Sequence, residues 1–267
     1  MKLDHRRTVL VGLAFLSICA FWQMYDNIIP LILTNTFHLD ETISGAIMAA
    51  DNVLALFLLP FFGALSDRTS TKIGRRMPFI LGGTAAAVIL MNLLPVFDNG
   101  YAATGETGKL AMFVVTLGLL LVAMGTYRSP AVALMPDVTP KPLRSRANAI
   151  INLMGAVGGI AYLIVAAVLY PNSKTEGLAH VNYRPLFIVV SVLMAASVIV
   201  LYFTTNEPKL AAAEKEYEAA HPEQQLVEEE PDGREELPKE VKRSLVMLLC
   251  SIALWYIGYN GVTTWWT

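Results

Sequence analysis

The sequence predicts an all-α, multi-pass membrane protein, and three observations carry that prediction. The 267 residues are 55% hydrophobic and only 16% charged, with a mean hydropathy of +0.51, more apolar than a soluble chain of this size needs. The apolar residues gather into seven runs, at 8–33, 42–65, 77–97, 109–135, 147–170, 185–204 and 244–267, each close to the ~20 residues that cross a bilayer. Lys and Arg alternate between the connecting segments: 16 fall on one side, only Lys109, Lys174 and Arg184 on the other, and Arg128 alone lies within a run. The positive-inside rule then puts the N-terminus and the long polar stretch 205–243 in the cytoplasm, most simply at the plasma membrane.

The first run follows Lys2, Arg6 and Arg7 and offers Ser17-Ile18-Cys19-Ala20 as a weak signal-cleavage site. Its apolar character continues to Leu33, so a retained span is expected. Cys19 and Cys250 both sit inside apolar runs, which gives no disulfide framework. Residues 1–204 read as one six-span domain and 205–243 as an acidic linker with 12 Asp/Glu against 6 Lys/Arg. Within that linker Lys209 to Ala220 suits a helix on the membrane surface, stopped by Pro222, while 228–233 suits solvated chain. It reads as a tether without a site. Residues 244–267 form a seventh span that ends at Trp265-Trp266-Thr267. A single span beyond the linker lacks packing partners, so the chain is expected to be a truncated piece whose partner is the remainder of the same polypeptide.

Function classes narrow quickly. Net charge is −2 and nothing points to nucleic acid. No metal-ligand cluster, phosphate-cradling loop or nucleophile elbow occurs, and His5, His38, His180 and His221 are scattered. An enzyme is not indicated, nor is a cofactor. The most informative stretch is Gly63 to Arg76, between the second and third runs. Gly63 permits close helix approach, Asp67-Arg68 ends one run in charge, Gly74 can turn the chain, and Arg75-Arg76 open the next run before Pro78. Two cations at a helix N-terminus oppose its dipole, so they are expected to hold the segment in the cytoplasm and to meet acidic partners.

That stretch resembles the signature loop of the major facilitator superfamily, Gly-x-Leu-x-Asp-Arg followed by Gly-Arg-Arg. The long gap before Gly74 and the following Met77-Pro78-Phe79-Ile80 resemble the branch of glycoside–pentoside–hexuronide:cation symporters and sucrose:proton symporters. The resemblance implies a six-helix N-terminal half built from two inverted three-helix repeats, then a cytoplasmic linker and the first helix of a second half. It implies an inner gate as well, with Asp137 near Arg75 or Arg76, and Asp67 near Arg144 or Arg146.

Ionisable residues within spans are functional candidates by default. Asp26 and Asp51 fall roughly 12–14 Å below the outer surface, at ~1.5 Å per residue. Trp22 and Asp26 share a helix face, with Gln23 and Asn27 beside them. Carboxylates, amides and an aromatic ring together suit a sugar, although interhelical packing would also use them. Either Asp26 or Asp51 could carry the coupling proton. Asp51-Asn52 resembles the Asp-Asn of sucrose-symporter relatives, whereas sodium carriers of the melibiose type place acids where this chain has Ala55 and Leu59. Protons are therefore the favoured ion and sodium the weaker alternative. Arg128 falls roughly 28 Å from the outer end of its run, which makes a pairing with either aspartate doubtful; it contacts substrate or gate, or snorkels to the cytoplasm. Asn148, Asn152, Gly155, Gly159 and Tyr162 share one stripe, with Gly155 and Gly159 as the close-packing pair and Asn152 a candidate cavity residue. The Gly-Pro of facilitator antiporters is absent there. The sequence thus favours a sugar or glycoside:proton symporter, with an exporter of another organic solute, or a non-transporting sensor or scaffold, as alternatives.

Overall fold

A computed structural model describes residues 3–175, 178, 180–220 and 239–265. Helix α1 (His5–Leu31) starts where the Asp4 carboxylate accepts the Arg7 N–H at 3.1 Å, and it runs on through a π-helical turn, Ile32–Thr36, after Pro30. Helix α2 (Glu41–Arg68) is capped by Asp40, which accepts the Thr42 N–H at 3.0 Å. Helix α3 (Met77–Thr104) has Pro78 in its first turn and ends at Gly105, left-handed at φ 67°. It outruns the apolar run at 77–97: Asp98 lies wholly buried inside it, and the expected outer loop shrinks to a tight turn.

Helix α4 (Thr107–Asp137) is followed by α5 (Arg144–Leu169), the short α6 (Asn172–Thr175), α7 (Arg184–Thr204), α8 (Glu207–Ala220) and α9 (Lys239–Trp265). Among the described residues seven helices are long and apolar enough to cross a membrane. The protein is an integral, multi-pass membrane protein. Residues 1–221 form one unit and 222–267, containing α9, another. Of the linker, 221–238 lie outside the described residues, as do the terminal Trp266 and Thr267.

The first unit is organised by pairs of helices. α1 packs chiefly on α5 and α7, α4 on α3 and α2, and α3 also meets α7. Exchanging α1, α2, α3 with α4, α5, α7 turns each main contact into another one: α1–α5 becomes α4–α2, and α3–α4 becomes α7–α1. That is the pattern two inverted three-helix repeats produce. α1 and α4 form the core, and about half of each span is buried; the α2 span buries none of its 18-residue apolar window.

The two close approaches depend on small residues. A Cβ on Gly158 of α5 would collide with the backbone of Leu16 in α1, and one on Gly83 of α3 would come within 2.8 Å of the Tyr127 backbone in α4. The α5 stripe is therefore rotated from the expected one. The buried face carries Ala147, Ile151, Gly155, Gly158 and Tyr162, while Asn148 and Asn152 are exposed. Gly158 rather than Gly159 joins Gly155 at the closest contact: a Cβ there would meet the Leu16 backbone, whereas at Gly159 only Gln23 Oε1 lies within 4 Å.

Candidate substrate cavity and loop network

The cavity is built around three consecutive residues of α4, each facing a different neighbour. Tyr127 is fully buried; its hydroxyl donates to the Ala14 carbonyl at 3.0 Å and lies 2.5 Å from Ser17 Oγ, which pins α4 to α1. Ser129 donates to the Leu59 carbonyl at 2.8 Å, which ties α4 to α2. Arg128, between them, extends over the Trp22 ring with its guanidinium carbon 5.5 Å from the centroid, within cation–π range.

Trp22, Asp51 and Arg128 line one cavity, walled by Leu54, Leu58, Leu59, Leu121 and Gly125. The sequence-based depth count that separated Arg128 from the aspartates is corrected here. α4 has 31 residues and so is about 46 Å long, well beyond a ~30 Å hydrocarbon core. Depth measured from its outer end overshoots, and the long Arg side chain covers the rest. No ion pair joins Arg128 to Asp51 among the described residues. Instead three polar groups converge with hydrogen-bonding capacity unused: Asp51 Oδ1 and Trp22 Nε1 are buried with no hydrogen bond, and Arg128, stacked over Trp22, makes none among the described residues. An acceptor, a donor and a cation over an apolar floor fit a small polar solute with hydroxyl groups.

The other candidates lie around this centre. Asp26 is exposed, yet it and Asp51 both act electrostatically on the Tyr25 phenol. Asn27 donates to its own helix at the Gln23 carbonyl, 2.5 Å, and the Gln23 amide oxygen faces Gly159 of α5. Asn52 and Asn152 are exposed and do not line the cavity.

At the opposite end of α2 the loop forms a closed network. Arg76, 5% exposed, donates through Nε to Asp137 at 2.8 Å, and through its other nitrogens to Asp67 and Ser66, each at 2.5 Å. Arg75 pairs with Asp137 at 2.6 Å. The expected Asp67 pairing with Arg144 or Arg146 is not what forms: Asp67 takes Arg76, and Arg144 donates to Glu214 of α8 at 3.1 Å. Arg76 reaches both acids because it opens α3 between the ends of α2 and α4, while Arg144 opens α5 facing α8. Arg68 is exposed at the end of α2, and Gly63 approaches Ser129.

Glu207 completes the network, and sequence reasoning missed it. Its carboxylate accepts N–H groups from Arg75 (2.8 Å), Arg76 (2.9 and 3.2 Å) and Met77 (2.9 Å), capping α3. Gly74, at φ 118°, leaves no room for a side chain there. The signal was present as two cations at a helix N-terminus in need of an anion, with a glutamate directly after the sixth apolar run. The linker's first part is therefore a docked helix carrying a cap, and the tether description fails for 207–220.

A bundle of two inverted three-helix repeats, with a polar cavity between α1, α2 and α4 and an Arg–Asp network at one end, matches the inverted-repeat architecture that secondary-transporter folds use. The model of the Major Facilitator Superfamily matches residues 11–267, and the chain belongs to that superfamily. It is similar to a sucrose transport protein of Arabidopsis thaliana, 27% identical over 195 residues, covering 65% of this chain and 32% of the relative. A second sucrose transport protein of that plant is 28% identical over 176 residues, 60% of this chain and 34% of the relative. A putative glycoside/cation symporter of Escherichia coli is 28% identical over 193 residues, 71% of this chain and 40% of the relative. The chain thus spans about a third to two fifths of the length of the curated relatives it matches.

Proposed function

We propose that this chain supplies the N-terminal half of a sugar or glycoside:proton symporter working by alternating access, with its N-terminus in the cytoplasm at the plasma membrane. In this reading 1–204 is the half-transporter, 205–243 the linker and 244–267 the first helix of the second half. The observation that carries the reading is the convergence in one cavity of Asp51, Trp22 and Arg128, with Asp51 Oδ1 and Trp22 Nε1 buried and free of hydrogen bonds. Trp22 supplies a ring face for the apolar side of a sugar, Asp51 accepts hydroxyl hydrogen bonds or the coupling proton, and Arg128 donates. Asp26, Gln23, Asn27, Asn52 and Asn152 contribute from the rim once the second half faces them. The names of the relatives support a sugar class.

The test uses the complete polypeptide in sealed proteoliposomes and follows external pH as a panel of sugars is added. Alkalinisation with one sugar, lost in Asp51→Asn while that variant stays folded, supports proton symport through this cavity. Sugar uptake without a pH change removes the coupling assignment. No response to any sugar shifts the reading to export of another solute.

A further inference from the structure

At the end of the bundle opposite the Gly63–Arg76 loop, Asp98 is 0% exposed and neither carboxyl oxygen has a hydrogen-bond partner. It stands outside the cavity, and nothing in the transport reading uses it. An unpaired buried carboxylate is costly enough that it must either hold a proton or acquire a donor. Two groups stand beside it. The His180 ring nitrogen Nε2 is 3.9 Å from Asp98 Oδ2, and the Thr36 hydroxyl interacts with the carboxyl while lying 3.2 Å from His180 Nδ1.

The surrounding amides fix which ring nitrogen carries hydrogen. The Arg184 N–H donates to Asn182 Oδ1 at 3.0 Å, so that oxygen's orientation is set. Asn99 Nδ2 donates to the same oxygen at 2.9 Å, which turns Asn99 Oδ1 towards His180 Nε2 at 2.8 Å. Because that oxygen only accepts, Nε2 must be the N–H of the ring. The proton on Nδ1 is then the free variable. With neutral His180 the Thr36 hydroxyl donates to Nδ1, and Asp98 must keep its own proton. With charged His180, Nδ1–H donates to Thr36, and the hydroxyl turns to donate to an ionised Asp98. The two arrangements differ only by moving the Nδ1 proton onto Thr36 and the Thr36 proton onto Asp98, so they hold the same number of protons.

We propose that Asp98, Thr36 and His180 form a proton-binding site that holds one proton, shared between carboxyl and imidazole through the Thr36 hydroxyl. It joins three elements: the π-turn after α1, the far end of α3 and the segment leading into α7. Among the described residues, the other titratable or charged groups around it include Tyr183 and Arg184 at the start of α7, Tyr170 at the end of α5, Tyr101 of α3 against Phe37, and Lys109 of α4, whose stem lies over Gly100. Burial raises the Tyr170 and Tyr183 phenols, with the Asp98 charge adding to the effect on Tyr183, so they stay neutral.

The test needs no transport, so its failure would leave the symport reading untouched. The complete protein in lipid nanodiscs, with ¹⁵N in its histidine rings, is observed by NMR. His180 is expected to carry its hydrogen on Nε2. Asp98→Asn removes the carboxyl end of the relay, and Thr36→Val keeps the volume while removing the hydroxyl between, so each is expected to move the His180 Nδ1 resonance. An Nδ1–H tautomer, or an Nδ1 resonance unchanged in whichever of the two variants folds, would overturn the site.

Discussion

Replacing Glu207 by Gln should release the start of α3 from α8. In the native chain one carboxylate serves three backbone N–H groups, with Oε1 on Arg75 and Arg76 and Oε2 on Arg76 and Met77. A glutamine keeps one oxygen and puts an NH2 donor against the remaining N–H groups. At least one charge-assisted hydrogen bond is lost, at about 1.5–3 kcal/mol, together with about 0.3–1 kcal/mol of helix-dipole interaction. Water reaching the freed N–H groups at the end of the bundle offsets part of this, which leaves about 2–3 kcal/mol. Hydrogen exchange on the complete protein reads the effect directly. Protection of the 75–77 amides should fall about 30- to 150-fold, at tenfold per 1.4 kcal/mol, with amides in mid-α4 unchanged. Glu207→Asp keeps the charge on a shorter stem and should fall between the two. Protection within about threefold of native in Glu207→Gln would show that the contact contributes nothing and would refute the capping argument.

Four further substitutions test the packing and the loop network. Gly158→Ala must force Leu16 of α1 away, and since the obstacle is backbone the loss should reach about 3 kcal/mol in thermal unfolding; Gly82→Ala, with nothing within 4 Å, should be neutral or slightly stabilising. Equal behaviour of the two would contradict the close α1–α5 approach. Tyr127→Phe removes the hydroxyl shared with Ser17 and the Ala14 carbonyl and should cost about 1 kcal/mol; no measurable loss would mean the α1–α4 pin is not a stabilising contact. Arg76→Lys cannot serve Asp67, Asp137 and Ser66 together, so unfolding should come easier by about 2–3 kcal/mol; a lysine variant as stable as native would show that one charge there is enough.

What could be read from the sequence was whatever one helix can express alone. Span positions, the charge alternation and the Gly63–Arg76 loop all follow from runs and spacings within single segments, and α1 to α5 and α7 start within a few residues of the runs that predict them. What could not be read were choices between helices. Asp67 had two kinds of base within reach by topology, and the angle at which α3 opens decided for Arg76. Asp98 was placed in a loop because an acid normally ends an apolar run; burial beside His180 and Thr36 carries the helix onward to Thr104. Residue counting sets Arg128 too deep because α4 outruns the membrane core and the long side chain reaches back.

The repeat arrangement explains why the cavity lies where it does. The exchange that relates the two repeats swaps α1 with α4, so the α1–α4 contact falls on the pseudo-axis, and Trp22 and Arg128 meet across it. Sites on such an axis are natural, because both repeats present their polar residues there. Perfect symmetry would give two equivalent side walls, α5 on α1 and α2 on α4, and the chain departs from it. On one side Gly158 lets α5 close on the α1 backbone at Leu16, and Gly12 and Gly155 make room for the Met154 and Cys19 side chains. On the other, Leu58 and Leu59 meet Gly125 and Ser129 and hold α2 off at side-chain distance. The space left beside that looser contact is the cavity, and the ionisable α2 residue that lines it is Asp51. The departure from symmetry thus places a carboxylate opposite the Arg–Trp pair, which two equally tight walls would have excluded.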